Sequence, residues 1–136
     1  IFDAYSEAGK ERFIGNVIIR TEQPFEGIET LVGFENHSGR TYLGTKVGPL
    51  GRAILGHGNN GKDGWEGCVY KNAFGTYLHG PLLPKNPHFA DYLIRKALIR
   101  RYGDVELSPL DDRLELRAHR AVLAHVSSPH HRFPTI

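Results

Sequence analysis

The run Gly75-Thr76-Tyr77-Leu78-His79-Gly80-Pro81 sets an imidazole at the end of a short aromatic and β-branched stretch, directly before a glycine and a proline. Open α/β sheets hold their chemistry at the carboxyl ends of strands. An imidazole there suits general acid/base service to a nucleophile brought from elsewhere. The one thiol, Cys68, stands in Gly67-Cys68-Val69-Tyr70. A nucleophile elbow needs a sharp, glycine-flanked turn that leads into a helix. Here the strand pattern continues, so Cys68 reads as a buried, inert small hydrophobe. His79 is therefore expected to lack its nucleophile within this sequence. Gly58-Asn59-Asn60-Gly61 lacks the Gly-Lys-Ser/Thr ending and following helix of a phosphate loop, and reads as an exposed loop for a partner or substrate. His37 has no second and third ligand at zinc spacing, and His130-His131 reads as part of a frayed tail, so no metal site is expected.

The elements that must position these residues follow from pattern. Residues 1–11 read as a loop with a short strand at Ile1-Phe2, and residues 12–20 as a strand in which Gly15 marks a bulge. Residues 30–34 form a second apolar strand that ends in the turn Glu35-Asn36-His37-Ser38-Gly39-Arg40. Residues 44–51 are loop, 52–55 a short strand, 57–67 the strongest turn signal, and 66–70 and 74–78 two more strands. Asn86 is placed to cap a helix with Pro87 at its first position, and Phe89, Tyr92, Leu93, Ala97 and Leu98 recur at helical spacing until Gly103. A second helix is expected over 110–127, with Leu114, Leu116, Ala121, Val122 and Ala124 on its apolar face, followed by a flexible tail over 128–136. Strands followed by two helices read as α+β, or as the second half of a larger α/β sheet.

With 136 residues, 40% apolar and 24% charged, the chain is one domain or a piece of one. A net charge of +2, mixed along the chain, gives no nucleic-acid footprint. The basic pairs Arg95-Lys96 and Arg100-Arg101 read as the wet face of a helix. A single cysteine excludes an internal disulfide framework and fits a reducing compartment. There is no apolar run of about 18 residues and no signal-peptide pattern. The first residue, Ile1, reads as a truncated or processed start.

Five motifs then stand in one order: Gly33-Phe34-Glu35-Asn36-His37, Gly39-Arg40-Thr41-Tyr42, Gly58-Asn59-Asn60, Tyr70-Lys71-Asn72, and the segment from Gly75 to Pro87. Together they resemble the cobyric-acid-synthase-like branch of class I glutamine amidotransferases, and within it the amidotransferase subunits of bacterial lipid II isoglutaminyl synthases. The likeness runs over residues 1–98. It implies the carboxyl-terminal portion of a flavodoxin-like α/β domain over 1–127, with the nucleophilic cysteine in an elbow upstream of this sequence. It also implies that His79 is the catalytic histidine, serving a cysteinyl thioester, and that Arg12 meets glutamine, its guanidinium holding a carboxylate through parallel hydrogen bonds. Asn36 and His37 would line the glutamine pocket; a turn stabilised by Asn36 and Ser38 is the equal alternative. Many class I relatives carry a glutamate two residues after the histidine, but here that position is Pro81. A Cys–His dyad, or an orienting acid such as Glu35 or Glu66, remains open.

The resemblance further implies no metal or organic cofactor. The implied partner is a Mur-ligase-like, ATP-dependent subunit that amidates the stem-peptide D-glutamate of lipid II, met in the cytoplasm at the inner membrane face. Two alternatives stand beside this reading: a non-catalytic fragment that docks to a partner, and an amidotransferase of the cobyric acid synthase type.

Overall fold

The computed structural model describes residues 1–22, 25 and 27–126. Two long strands dominate it. β1 (Ala4–Thr21) and β2 (Thr30–Leu43) run antiparallel, from Ala4 opposite Leu43 to Arg20 opposite Thr30, with an irregularity between Ala8 and Phe13. The expected loop over residues 1–11 is instead strand from Ala4 onward, and the expected turn at 35–40 is the middle of β2. These stretches are polar and do not alternate, so nothing local marks them. They are held by cross-strand pairs: Tyr5 stacks on Tyr42 with ring centroids 5.2 Å apart, and the Ser6 and Thr41 hydroxyls lie 2.7 Å apart. Gly15 makes no bulge; it pairs in register with Glu35, and the irregularity falls earlier.

β3 (Gly51–Leu55) pairs with the inner half of β1, and β4 (Trp65–Glu66) with β3, giving the order β2-β1-β3-β4. β5 (Cys68–Tyr70) and β6 (Ala73–Gly75) form a separate two-stranded ribbon. Gly67 joins the two sheets at φ 68°, where a Cβ would sit 2.6 Å from Leu50 Cβ and 2.7 Å from the Gly75 carbonyl. Only glycine lets the chain pass there.

Three helices follow among the described residues rather than two: α1 (Leu82–Lys85), α2 (Pro87–Tyr102) and α3 (Arg113–Val126). Asn86 precedes Pro87 as expected, but its side chain caps nothing. It turns to β2 instead, accepting the Val32 N–H at 2.9 Å and donating to the Val32 carbonyl at 2.8 Å and to that of Leu82 at 2.6 Å. On α2, Phe89 is buried and Tyr92, Leu93 and Leu98 are half-buried, while Ala97 is exposed. On α3 the expected apolar face is largely wet: Leu114, Leu116, Ala121 and Ala124 are exposed and Val122 is half-buried. The residue that seats α3 is His119, 6% exposed, with Nδ1–H donating to the Lys85 carbonyl at 2.9 Å and Nε2 3.2 Å from the Thr30 hydroxyl.

The architecture is thus α/β in content: an antiparallel sheet followed by carboxyl-terminal helices. Its core joins Val17, Ile19, Leu31 and Leu50 of the sheet region to Phe25, Leu78 and Phe89. Each such side chain contributes about 1.5–3 kcal/mol relative to exposure. The frayed tail expected over 128–136, with His130-His131, lies outside the described residues.

Candidate active site

His79 is not at the end of a regular strand. β6 stops at Gly75, and His79 meets β2 through a single antiparallel bridge to Phe34. Its N–H donates to the Phe34 carbonyl at 2.7 Å, and its carbonyl accepts the Phe34 N–H at 3.2 Å. Two further anchors hold the approach. The buried Glu66 carboxyl accepts the Thr76 hydroxyl at 2.6 Å and the Tyr77 N–H at 2.8 Å. Leu78 packs on Gly33 so closely that a Cβ there would lie 2.9 Å from Leu78 Cδ2. The backbone is pinned on both sides while the His79 residue is exposed.

Arg12 and Asn36 come together: Arg12 Nε donates to Asn36 Oδ1 at 2.6 Å, with both residues exposed. His37 lies on the other face of the hairpin, because successive side chains of a strand point to opposite faces. There it is 7% exposed and stacks on Tyr77 with centroids 3.7 Å apart. Burial pushes its pKa down, against opposing contributions from the Gly39 carbonyl and Glu35, and nearby Arg40 and His79 push it further down. The structure therefore brings His37 within electrostatic reach of His79, and pairs Arg12 with Asn36 across the sheet from His37.

Neither acid weighed for orienting His79 contacts its ring. Glu35, 1% exposed, accepts the His57 N–H at 3.1 Å and the His57 Nδ1–H at 2.6 Å. Glu66 Oε1 is taken by Thr76 and Tyr77, and burial pushes the carboxyl pKa up. The His57 ring, half exposed, stacks on Phe13 with centroids 3.9 Å apart, and the Arg40 guanidinium lies 3.5 Å over the other ring's centroid. Sequence reasoning missed this Glu35–His57–Phe13 cluster, since His57 sits in a glycine-rich turn whose partners are distant along the chain.

The loop with Asn59 and Asn60 is also not an exposed recognition loop. Both are 2% exposed. Asn59 bonds both backbone groups of Gly67, at 2.8 and 2.9 Å, and Asn60 accepts the Lys62 and Asp63 N–H groups at 2.9 and 3.1 Å. Cys68 is 6% exposed in β5, and burial pushes its thiol pKa up, away from the thiolate a nucleophile needs. Among the described residues no three or more His, Cys, Asp or Glu side chains converge as a metal site, and no helix is long and apolar enough to cross a membrane.

A pinned strand segment presenting an imidazole beside an antiparallel hairpin is found here on a chain whose residues 1–87 match the CobB/CobQ-like glutamine amidotransferase domain; the chain belongs to that family. It is homologous to the lipid II isoglutaminyl synthase (glutamine-hydrolyzing) subunit GatD of Staphylococcus aureus (strain N315), 42% identical over 123 residues that make up 90% of this chain and 48% of that protein. The subunit of the same name from Streptococcus pneumoniae (strain ATCC BAA-255 / R6) is 46% identical over 102 residues, 74% of this chain and 38% of that protein. The probable cobyric acid synthase of Methanothermobacter thermautotrophicus is 40% identical over 103 residues, 74% of this chain and 18% of that protein. The chain spans about half the length, or less, of the curated relatives it matches.

Proposed function

We propose that this chain forms the histidine side of a glutaminase centre, in the carboxyl-terminal portion of a flavodoxin-like class I amidotransferase domain. The attacking thiol is a cysteine from beyond these 136 residues, a reading supported by the buried strand setting of Cys68 and by the greater length of the relatives. In this reaction the thiolate bonds to the glutamine carboxamide carbon. As the carbon–nitrogen bond breaks, His79 as imidazolium gives its proton to the leaving nitrogen. Neutral His79 then takes a proton from water, which opens the thioester to glutamate and restores the thiol. Arg12 and Asn36 bind glutamine, with the guanidinium on the α-carboxylate, and His37 backs the site from the hairpin's other face.

The observation that carries this reading is His79 itself: an exposed residue on a backbone pinned by Phe34, Leu78 and Glu66, with no carboxylate on its ring among the described residues. The pair then works as a Cys–His dyad, its histidine placed by backbone pairing rather than by an acid. The ammonia goes to a Mur-ligase-like, ATP-dependent partner. That partner activates the stem-peptide D-glutamate α-carboxylate of lipid II and forms D-isoglutamine, in the cytoplasm at the inner membrane face. The two lipid II isoglutaminyl synthase subunits are 42% and 46% identical to this chain against 40% for the probable cobyric acid synthase, and the first matches 90% of it against 74%, which favours this substrate over a cobyrinic acid precursor.

The test is glutamate release from glutamine by the full-length protein and its His79→Ala variant. Loss of general acid/base catalysis should cost at least about 10²-fold, with the fold and partner binding kept. Retention of more than about a tenth of the activity would remove His79 from the centre.

A further inference from the structure

Glu35 and His37 stand two positions apart on β2, so both side chains enter the same buried side of the hairpin. The His37 Nδ1 lies 2.9 Å from the Gly39 carbonyl. A carbonyl only accepts, so Nδ1 carries the proton. Burial favours the neutral ring, which leaves Nε2 as a bare lone pair. That Nε2 is buried and has no hydrogen-bond partner, and Glu35 Oε2 faces it at 3.8 Å. Glu35 Oε1 is held by the His57 ring, whereas Oε2 receives only the His57 N–H, at 3.1 Å and shared with Oε1. Two acceptors thus face each other across a gap that neither can close, in a setting where buried polar atoms are normally paired.

We propose that the gap between Glu35 Oε2 and His37 Nε2 is a binding site for ammonium. One nitrogen set beside the line that joins the two atoms would reach both. A donor about 2.9 Å from each acceptor spans 3.8 Å at roughly 80°, so two tetrahedral N–H bonds reach both acceptors within the directional tolerance of a hydrogen bond. The carboxylate supplies the countercharge, and the imidazole supplies a lone pair that a hard metal cation such as potassium uses poorly. A cavity of about 370 Å³ borders the carboxylate, lined also by His57, Leu55 and residues 14–16. The biological sense of the site rests on the amidotransferase reading: hydrolysis releases the nitrogen beside His79, and this pair holds it at the hairpin. The binding itself needs neither glutamine nor the nucleophile.

The experiment follows the His37 ring nitrogens by ¹⁵N NMR in the full-length protein, without glutamine, during parallel titrations with ammonium chloride and potassium chloride. Ammonium should move the Nε2 resonance upfield to saturation, and potassium chloride should not. Glu35→Gln should weaken the half-saturation by about tenfold or more, as expected when a charged hydrogen-bond partner is removed. An unresponsive Nε2, equal responses to both salts, or an unchanged midpoint in Glu35→Gln would each overturn the site, and would point to a bridging water or to ionic strength alone. If Glu35→Gln does not fold, the two titrations of the unaltered protein decide. Glutamate release from glutamine by the unaltered full-length protein and by His79→Ala separates the two readings. Ammonium-specific saturation, together with glutamate release that is absent in the unaltered protein or survives in His79→Ala, would refute the function and keep the site. An active enzyme whose His37 ignores ammonium would refute the site and keep the function.

Discussion

At the scale of single residues, the candidate site separates groups that touch one another from groups that merely share a neighbourhood. Arg12 and Asn36 are joined by a 2.6 Å hydrogen bond on the exposed face of the hairpin. Asn36 therefore holds the guanidinium in place, and on the proposed function Arg12→Ala should raise the glutamine KM of the full-length protein severalfold while the thermal midpoint barely moves. Surface substitutions normally stay within about 0.5 kcal/mol. An unchanged KM would return Arg12 to an ordinary strand arginine. Cys68 makes the opposite case: its thiol is buried in β5 with a raised pKa. Cys68→Ala should leave kcat intact, and a folded but dead variant would make it the nucleophile after all.

At the scale of elements, the outer edge of β2 decides where His79 stands. Val32 offers its backbone N–H and carbonyl to the Asn86 side chain, and Phe34 offers its own to the His79 backbone. An edge strand left bare invites wrong pairing; here a buried asparagine and one bridge cover it. Asn86 also reaches the Leu82 carbonyl and lies 3.1 Å from His119 Nδ1, so one side chain ties α1, α2 and α3 to the sheet. Asn86→Ala strands the Val32 pair without water, and should lower stability by about 2–4 kcal/mol. Urea denaturation measures this directly, and a loss below about 1 kcal/mol would mean that the helices do not depend on that contact. Because the same edge carries His79, the variant should also lose glutaminase activity faster than it loses secondary structure.

At the scale of the whole molecule, buried titratable groups set a pH dependence. Burial favours the neutral rings of His37 and His119 and holds their folded pKa values below the ordinary 6.5 of a histidine. Between the folded and unfolded values the unfolded chain binds more protons. Their contribution is therefore complete above pH 6.5 and is lost as the pH falls through the lowered folded values. Glu66 works with the opposite sign: its folded pKa is raised above 4.5, so its contribution is complete below 4.5 and declines as pH rises to the raised value. The urea midpoint should fall on the acid side of pH 6.5, and His119→Gln should lower the midpoint at neutral pH while flattening that fall. An equally steep acid limb in the variant would assign the dependence to other groups. His119 is faced by His88, at a centroid distance of 5.1 Å, and by Arg120, both of which disfavour its charged form.

Some of this was legible in the chain alone, because it depends on nearest neighbours. Pro87 and Gly103 bound α2, a feature of backbone geometry that local residues impose. Cys68 read as a strand thiol because Val69 and Tyr70 continue the apolar run, and the ordered motifs around Glu35, Asn59 and His79 carried the family. What the pattern could not supply were pairings between distant segments. The polar strand halves at 4–11 and 35–43 hold one another across the hairpin, α3 seats a buried histidine while Leu114 and Leu116 stay exposed, and Glu35 takes His57 rather than His79. A side chain's spacing tells which face of its own element it occupies. Only the packed chain decides which distant hydrogen-bonding group lies within 3 Å of it, since that choice follows from every other contact in the fold.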